Sequence, residues 1–132
     1  MVDCENEVYT KVATALRTAY SGIDVSGVYE PTPSTFPHVC FYEVDNSVVQ
    51  NLSSDTKEMA SVTFEVNVYS NKKGSKKAEA KSILNTIDAI MFGLNAQRLS
   101  KLPVPNLNNA SIYRLVARYR VLTDGTFFYR WR

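Results

Sequence analysis

The sequence is poor in cysteine, histidine and glycine, and these shortages narrow the functions open to it. It has 2 cysteines and 1 histidine among 132 residues. His38 and Cys40 could supply half of a zinc site, but such a site needs three or four ligands. The 5 glycines lie near predicted element ends, and no phosphate loop, nucleophile elbow or His-Glu-x-x-His motif occurs. We therefore expect no enzymatic activity, no metal and no cofactor.

Long apolar runs and a strong net charge are also missing. Uninterrupted apolar stretches are only a few residues long, so no membrane span is predicted. The acidic N-terminus lacks the basic and apolar regions of a signal peptide, which predicts synthesis in the cytoplasm. Cys4 and Cys40 are therefore expected as two free thiols rather than a disulfide. The net charge of +2 is too small to indicate bulk nucleic-acid binding.

The clearest positive signal is the stretch from Ala60 to Ser70. Its apolar residues alternate with more polar ones, a period of two that is typical of a long strand with one face in a core. The predicted core face consists of Val62, Phe64, Val66 and Val68. The other, semi-polar face consists of Ser61, Thr63, Glu65, Asn67 and Tyr69. An apolar fraction of 45% over 132 residues suffices for a single domain covering 1–132.

Periodicity and turn residues predict the remaining elements. Apolar residues spaced by three and four predict amphipathic helices over 3–21 and 75–92, with Asp3 and Ser75 as N-caps. The predicted strands are 23–29, 38–45, 60–70, 110–122 and 126–132, and the predicted loops are 30–37, 46–57 and 99–109. The order αββ(long loop)βαββ predicts an α+β fold, with a largely antiparallel sheet of about five strands and two helices packed on one face.

Two sets of basic residues are candidates for contacts with partners. The first set clusters at the start of the second helix, where the helix dipole disfavours positive charge, so it suggests an anionic partner, although a solvated turn explains it as well. These partner-docking candidates are Lys72, Lys73, Lys76 and Lys77. The second set shares one face of the strand 110–122 and suits either a protein interface or nucleic acid. It consists of Arg114, Arg118 and Arg120.

An acidic set and a tyrosine complete the candidates for a subunit interface. Glu43, Asp45 and Glu65 lie on neighbouring predicted strands, so they could meet the three arginines of an adjacent subunit. Tyr69 lies on the semi-polar face of the long strand. Because so small a domain has no second layer to spare, we expect another subunit to cover that face.

Taken together in order, several short motifs resemble one family along nearly the whole chain. They are Val8-Tyr9, Tyr29-Glu-Pro, Phe36-Pro-His-Val39, Tyr42-Glu-Val-Asp-Asn46, Val62-Thr-Phe-Glu-Val-Asn-Val-Tyr-Ser70, a following Lys/Ala/Glu-rich helix, Ser111-Ile-Tyr-Arg114 and Arg118-Tyr119. The chain is similar to the tail terminator (tail completion, head-tail joining) proteins of long-tailed bacteriophages. None of these motifs is a catalytic signature.

The resemblance implies a structural virion protein at the junction of tail and neck, assembled in the host cytoplasm. Members of the family form a hexameric ring on the last ring of the major tail-tube protein. This homo-oligomer ends tube polymerisation and offers a docking face to the head-side connector or stopper protein. DNA is a partner only as it passes through the lumen, and no membrane is involved.

Two other functions are compatible with the sequence. One is a head-closure or adaptor protein of the neck, which sequence features hardly separate from a tail terminator. The other is a small nucleic-acid-binding domain that uses the arginine row, for which phosphate contacts predict a steep dependence on salt.

Overall fold

The computed structural model describes residues 1–52, 57–105 and 109–130. Its helices are α1 (Glu5–Ala19) and α2 (Lys76–Gly93). Its strands are β1 (Asp24–Ser26), β2 (His38–Leu52), β3 (Lys57–Ser70), β4 (Gln97–Pro103), β5 (Tyr113–Thr123) and β6 (Phe128–Tyr129). Within these ranges, neither helix is long and apolar enough to cross a membrane.

The six strands form one open sheet in the order β1-β2-β3-β5-β4, with β6 paired to β5. Only the β1–β2 pair is parallel, and every other pair is antiparallel. β3 lies at the centre, where it pairs with β2 on one side and with β5 on the other. The predicted α+β class with a largely antiparallel sheet is confirmed, with one more strand than the sequence indicates.

The prediction of a polar loop over residues 46–57 is wrong. β2 continues to Leu52 and pairs with β3 as far back as Lys57, so the two strands form a long hairpin arm. Two irregularities in register, between Glu43 and Asp45 and between Val48 and Gln50, interrupt the alternation on β2. Each bulge inserts one residue and breaks the period of two on which strand prediction depends. Residues 53–56 of the predicted loop lie outside the described residues.

The prediction of an irregular segment over 99–109 is also wrong for residues 99–103. Gln97–Pro103 forms β4, which pairs with β5 at the edge of the sheet. All but one of its residues are exposed, so neither face is apolar and the sequence carries no alternation to find. Pro103 occupies the last position of an edge strand, where a missing N–H is tolerated. Residues 106–108 lie outside the described ranges.

Smaller corrections concern the ends of the elements. α1 begins after Cys4 rather than Asp3, and neither Cys4 nor Ser75 caps its helix through a side-chain hydrogen bond. Residues 124–127 connect β5 to β6, so the turn at Asp124-Gly125 is four residues long rather than the two that this dipeptide predicts. The Asp124 carboxylate accepts two backbone N–H bonds there, and Gly125 has a positive φ of 95°. The predicted strand 126–132 is reduced to β6, and residues 131–132 lie outside the described part of the chain.

Both helices pack on one face of the sheet, as predicted. α1 buries Val8, Val12, Ala13 and Leu16, and α2 buries Ala80, Ile83, Leu84, Ile87 and Met91. The sheet meets them with the predicted core face of β3 and with Val39, Phe41, Leu115, Ala117, Tyr119 and Val121. At the centre, the rings of Phe41 and Phe64 stack with their centroids 5.1 Å apart. Burial of this apolar layer stabilises the fold.

We expect Phe64→Ala to lower the free energy of unfolding by about 3–5 kcal/mol, because it leaves a cavity in a close-packed core. Denaturant unfolding followed by circular dichroism measures the change. Phe92→Ala is the matched control, since Phe92 is 80% exposed, and it should shift the free energy by less than about 0.5 kcal/mol. Equal effects of the two substitutions would contradict the assigned core.

Candidate interaction surface

The face of the sheet opposite the helices is covered in part by the chain itself. Tyr29 and Glu30 lie over this face: the Tyr29 ring is 6.2 Å from the Tyr42 ring, centroid to centroid, and the Glu30 backbone N–H donates to Cys40 Sγ. The Arg114 guanidinium lies 5.6 Å from the Tyr29 centroid and 5.8 Å from the Tyr69 centroid, so it is held between two aromatic faces. Tyr69 is only 1% exposed. Tyr69 is therefore buried within its own chain, and the covering of the rest of this face by a second subunit stays a prediction.

The two residues considered as zinc ligands have other contacts on the same face. His38 Nδ1 lies 2.9 Å from Asp24 Oδ2, and the Glu30 backbone N–H donates to Cys40 Sγ at 3.3 Å. Cys4 is buried on the helix side, so the two free thiols lie on opposite faces of the sheet. Among the described residues, no three His, Cys, Asp or Glu side chains come together as a metal site would require.

Glu65 is the centre of a polar network on this face. Its carboxylate accepts hydrogen bonds from Tyr42 Oη, from Asn67 Nδ2 at 3.3 Å, and from Arg118 Nε at 3.0 Å. Its side chain is only 15% exposed. Burial alone would raise the pKa of Glu65, but the hydrogen bonds from Tyr42, Arg118 and Asn67 outweigh it and hold the pKa below its ordinary value. The carboxylate is thus held ionised and fixed in place.

The arginine row is engaged inside the chain. Arg114 Nε donates to Asn67 Oδ1 at 2.9 Å, and Arg118 Nη2 lies 2.9 Å from Glu65 Oε1. Arg120 Nη2 donates to Gln97 Oε1 at 2.7 Å. Arg118 and Glu65, predicted as members of two sets that face each other across subunits, therefore contact each other within one chain.

The structure separates the predicted acidic set. Glu43 pairs with Phe64 and lies on the helix side, whereas Asp45 pairs with Thr63 and lies on the opposite face with Glu65. The bulge between Glu43 and Asp45 allows two residues so close in sequence to occupy these positions. Glu43 is partly buried, and desolvation followed by repulsion from Glu5 raises its pKa above the ordinary value.

The four lysines lie together at the start of α2, as predicted. Lys72, Lys73 and Lys77 are exposed, while Lys76 is half-buried and its Nζ donates to the Ala110 carbonyl at 3.0 Å. Within the described ranges, none of them forms an ion pair with a carboxylate. Their assignment as partner-docking residues stays a prediction.

Two free strand edges are the feature that sequence reasoning missed. β1 pairs with β2 only along His38–Cys40, so the rest of the β2 edge has no strand partner among the described residues. β4 is the strand at the other end of the sheet order, and it pairs only with β5 there. Both edges carry exposed apolar side chains: Val44, Val48 and Val49 on β2, and Leu99 and Leu102 on β4. Sequence analysis missed both edges because it predicted loops in these two segments.

Comparison with known proteins adds no assignment to this geometry. The chain matches no protein-family model and no curated protein sequence.

We expect Glu65→Gln to lower the free energy of unfolding at pH 7 by about 1–3 kcal/mol, because Arg118 loses its charged partner and the network loses its acceptor. The pKa of Glu65 is lower in the folded than in the unfolded chain, so its stabilisation is complete above the ordinary value of 4.5. It is lost as the pH falls through the folded value. Denaturant unfolding across this pH range should show the difference from wild type disappearing in acid.

A Glu-to-Gln substitution at Glu43, on the adjacent strand β2, should change the free energy of unfolding in the opposite direction. Glu43 has a raised pKa in the folded chain, so its ionisation destabilises the fold, and this cost grows as the pH rises above 4.5. Glu43→Gln should therefore raise the free energy of unfolding at pH 7, by less than about 1 kcal/mol because the side chain is partly solvated. A loss of stability at pH 7 in this variant would contradict the placement of Glu43 among carboxylates.

Proposed function

We propose that this chain is a structural virion protein that forms a hexameric ring on the end of a phage tail tube. The ring ends tube polymerisation and provides the docking face for the head-side connector. The observation that carries the proposal is the long β2–β3 hairpin arm. Beyond Glu43 its outer edge has no strand partner in the described part of the chain, and Val44, Val48 and Val49 are exposed there. An exposed apolar edge of this kind favours association with another protein chain.

The chemistry of the semi-polar face supports a structural role rather than a catalytic one. The buried polar groups there form a rigid set of contacts: Glu65 is fixed by three donors, and Arg114 is held between two tyrosine rings. Fixed polar networks of this kind stabilise one conformation of a sheet, which suits a subunit that must present invariant surfaces to several neighbours.

The arginine row gives little support to a nucleic-acid-binding function. Arg114, Arg118 and Arg120 each donate to an acceptor of the same chain, so phosphate contacts would have to replace existing bonds. Binding through phosphates depends on basic groups that are available to displace counterions. The head-closure or adaptor function uses the same kinds of surface as a tail terminator, and the test below separates the two.

The proposal is tested by measuring the oligomeric state of the protein, first alone and then together with tail-tube protein. We expect size-exclusion chromatography with light scattering to give the mass of a hexamer, and negative-stain images to show rings. Addition during tube polymerisation should shorten the tubes and place a ring at one end. The matched comparison is a portal–connector complex from a tail-defective infection.

Each outcome of this test has a clear meaning. Capture on tube ends supports the tail terminator, whereas capture only on the portal–connector complex assigns the head-side adaptor role instead. Monomers in both settings would refute a ring function. A shift of labelled single- or double-stranded DNA at low salt, lost at high salt and abolished by Arg118→Gln, would replace it with nucleic-acid binding.

A further inference from the structure

The two free edges of the sheet have opposite polarity. From β2 to β3, from β3 to β5 and from β5 to β4, the chain direction reverses at each step. Three reversals leave β4 antiparallel to β2. If two copies lie side by side in the same orientation, with their helices on one side, β4 of one copy therefore runs antiparallel to β2 of the next. Antiparallel strands pair directly without any connecting element.

The available part of the β2 edge begins after Glu43. The Glu43 backbone N–H points away from β3, and its hydrogen bond goes to Glu5 Oε2 at 2.9 Å. Beyond it, Val44 to Val49 are exposed, and no described strand pairs with their outer edge. β4 has 7 residues, so its length is comparable to that of the stretch available on β2.

The two edges also carry opposite charges. Glu5, at the start of α1, lies against Glu43, and Glu5, Asp3 and Asp45 all repel the Glu43 carboxylate, so the surroundings of Glu43 are acidic. In the described part of the chain, no lysine or arginine forms an ion pair with these four carboxylates.

The opposite edge, β4, carries Arg98 and Lys101 and no acidic residue. Arg98 is ion-paired with Asp88 of α2 at 3.2 Å, so the positive charge offered to a partner comes from Lys101. Arg98 pairs with Tyr119 and Lys101 pairs with Ala117, both of which lie in the core under the helices. Both basic side chains are thus on the helix side of the sheet, as is Glu43. When two copies stand in the same orientation, Lys101 of one copy is therefore on the same side as Glu43 of the other.

We propose that β4 of one copy pairs antiparallel with the free edge of β2 in the next copy, so that the six-stranded sheets join head to tail. This inference rests on the proposed ring and names its subunit interface. Lys101 lies beside Glu43 of the neighbour, and the residues before Lys101 run along the stretch that starts at Val44. The exposed valines of β2 and Leu99 and Leu102 of β4 are covered in the joint. Because the two patches differ, the interface is heterologous, and it forms a closed ring where the rotation between neighbouring copies brings the last subunit back to the first.

Bulges, lysine and proline are also devices that keep an edge strand from pairing, and both edges contain some of them. Such protection normally places charge at the exposed positions of the edge. Here the residues at the two β2 irregularities, Val44 and Val49, are 41% and 56% exposed valines. Exposed β-branched residues at these positions favour a covered edge over a protected one.

A charge swap tests the proposal. Glu43→Lys and Lys101→Glu each place like charges across the joint, and each should weaken self-association at least about tenfold in sedimentation velocity. The double variant restores opposite charges at every joint and should associate as wild type does. An equimolar mixture of the two single variants should also associate, because every joint between unlike variants has opposite charges. Lys81→Glu is the matched control, since it makes the same charge change at an exposed site on α2.

Hydrogen exchange provides a readout of the backbone itself. Amides of 44–49 and 97–102 should exchange more slowly in the assembled protein than in a dissociated single variant, while the exposed ends of α2 should not change. Circular dichroism shows whether each variant keeps its fold.

The outcomes separate this interface from the proposed function. Single variants that keep the wild-type mass, or a loss that neither the double variant nor the mixture reverses, would overturn the edge pairing. If such variants still capped tail tubes, the ring function would stand with another interface. A wild-type protein that stays monomeric, with and without tubes, would overturn both.

Discussion

The pairing of β3 with a strand on each side is the constraint on which the rest of the structure depends. From Ala60 to Tyr69, β3 is paired with β2 on one side and with β5 on the other. Because side chains alternate along a strand, this double register decides which face each residue of three strands occupies. A slip by one residue would move Phe64 out of the core and Glu65 into it, so the apolar layer and the polar network fix the register together.

The sequence predicts the centre of this structure better than its edges. The core face of β3 and the stripe of α2 were readable because burial on one side forces apolar residues into a regular period. β4 and residues 46–49 of β2 could not be predicted as strands, since strands exposed on both faces leave no period in their composition. The bulges in β2 removed what alternation remained. These elements exist because a neighbouring strand offers them backbone partners, and such long-range pairing leaves no mark on the local sequence.

For the candidate residues, too, one property could be predicted from the sequence and another could not. Their faces followed from alternation: Arg114, Arg118 and Arg120 lie on one face of β5 as predicted. Their partners did not follow, because whether Arg118 meets Glu65 in its own chain or in a neighbour depends on the order of strands in the sheet. Asp45 and Glu43 were separated by an inserted residue that only the register reveals. The position of Tyr29 and Glu30 over the second face was likewise hidden, since proline-rich segments predict stiffness but not direction.

The position of Tyr29 over the second face has a consequence for the order in which the chain folds. Tyr29 is held in part by Arg114, a residue far away in the sequence and on the penultimate strand. Contacts between residues so distant form late, because a long loop of chain must first close. Tyr29 therefore reaches its final position only after β5 has docked against β3. On a growing chain, the polar face of β3 stays open to solvent until most of the protein has been synthesised.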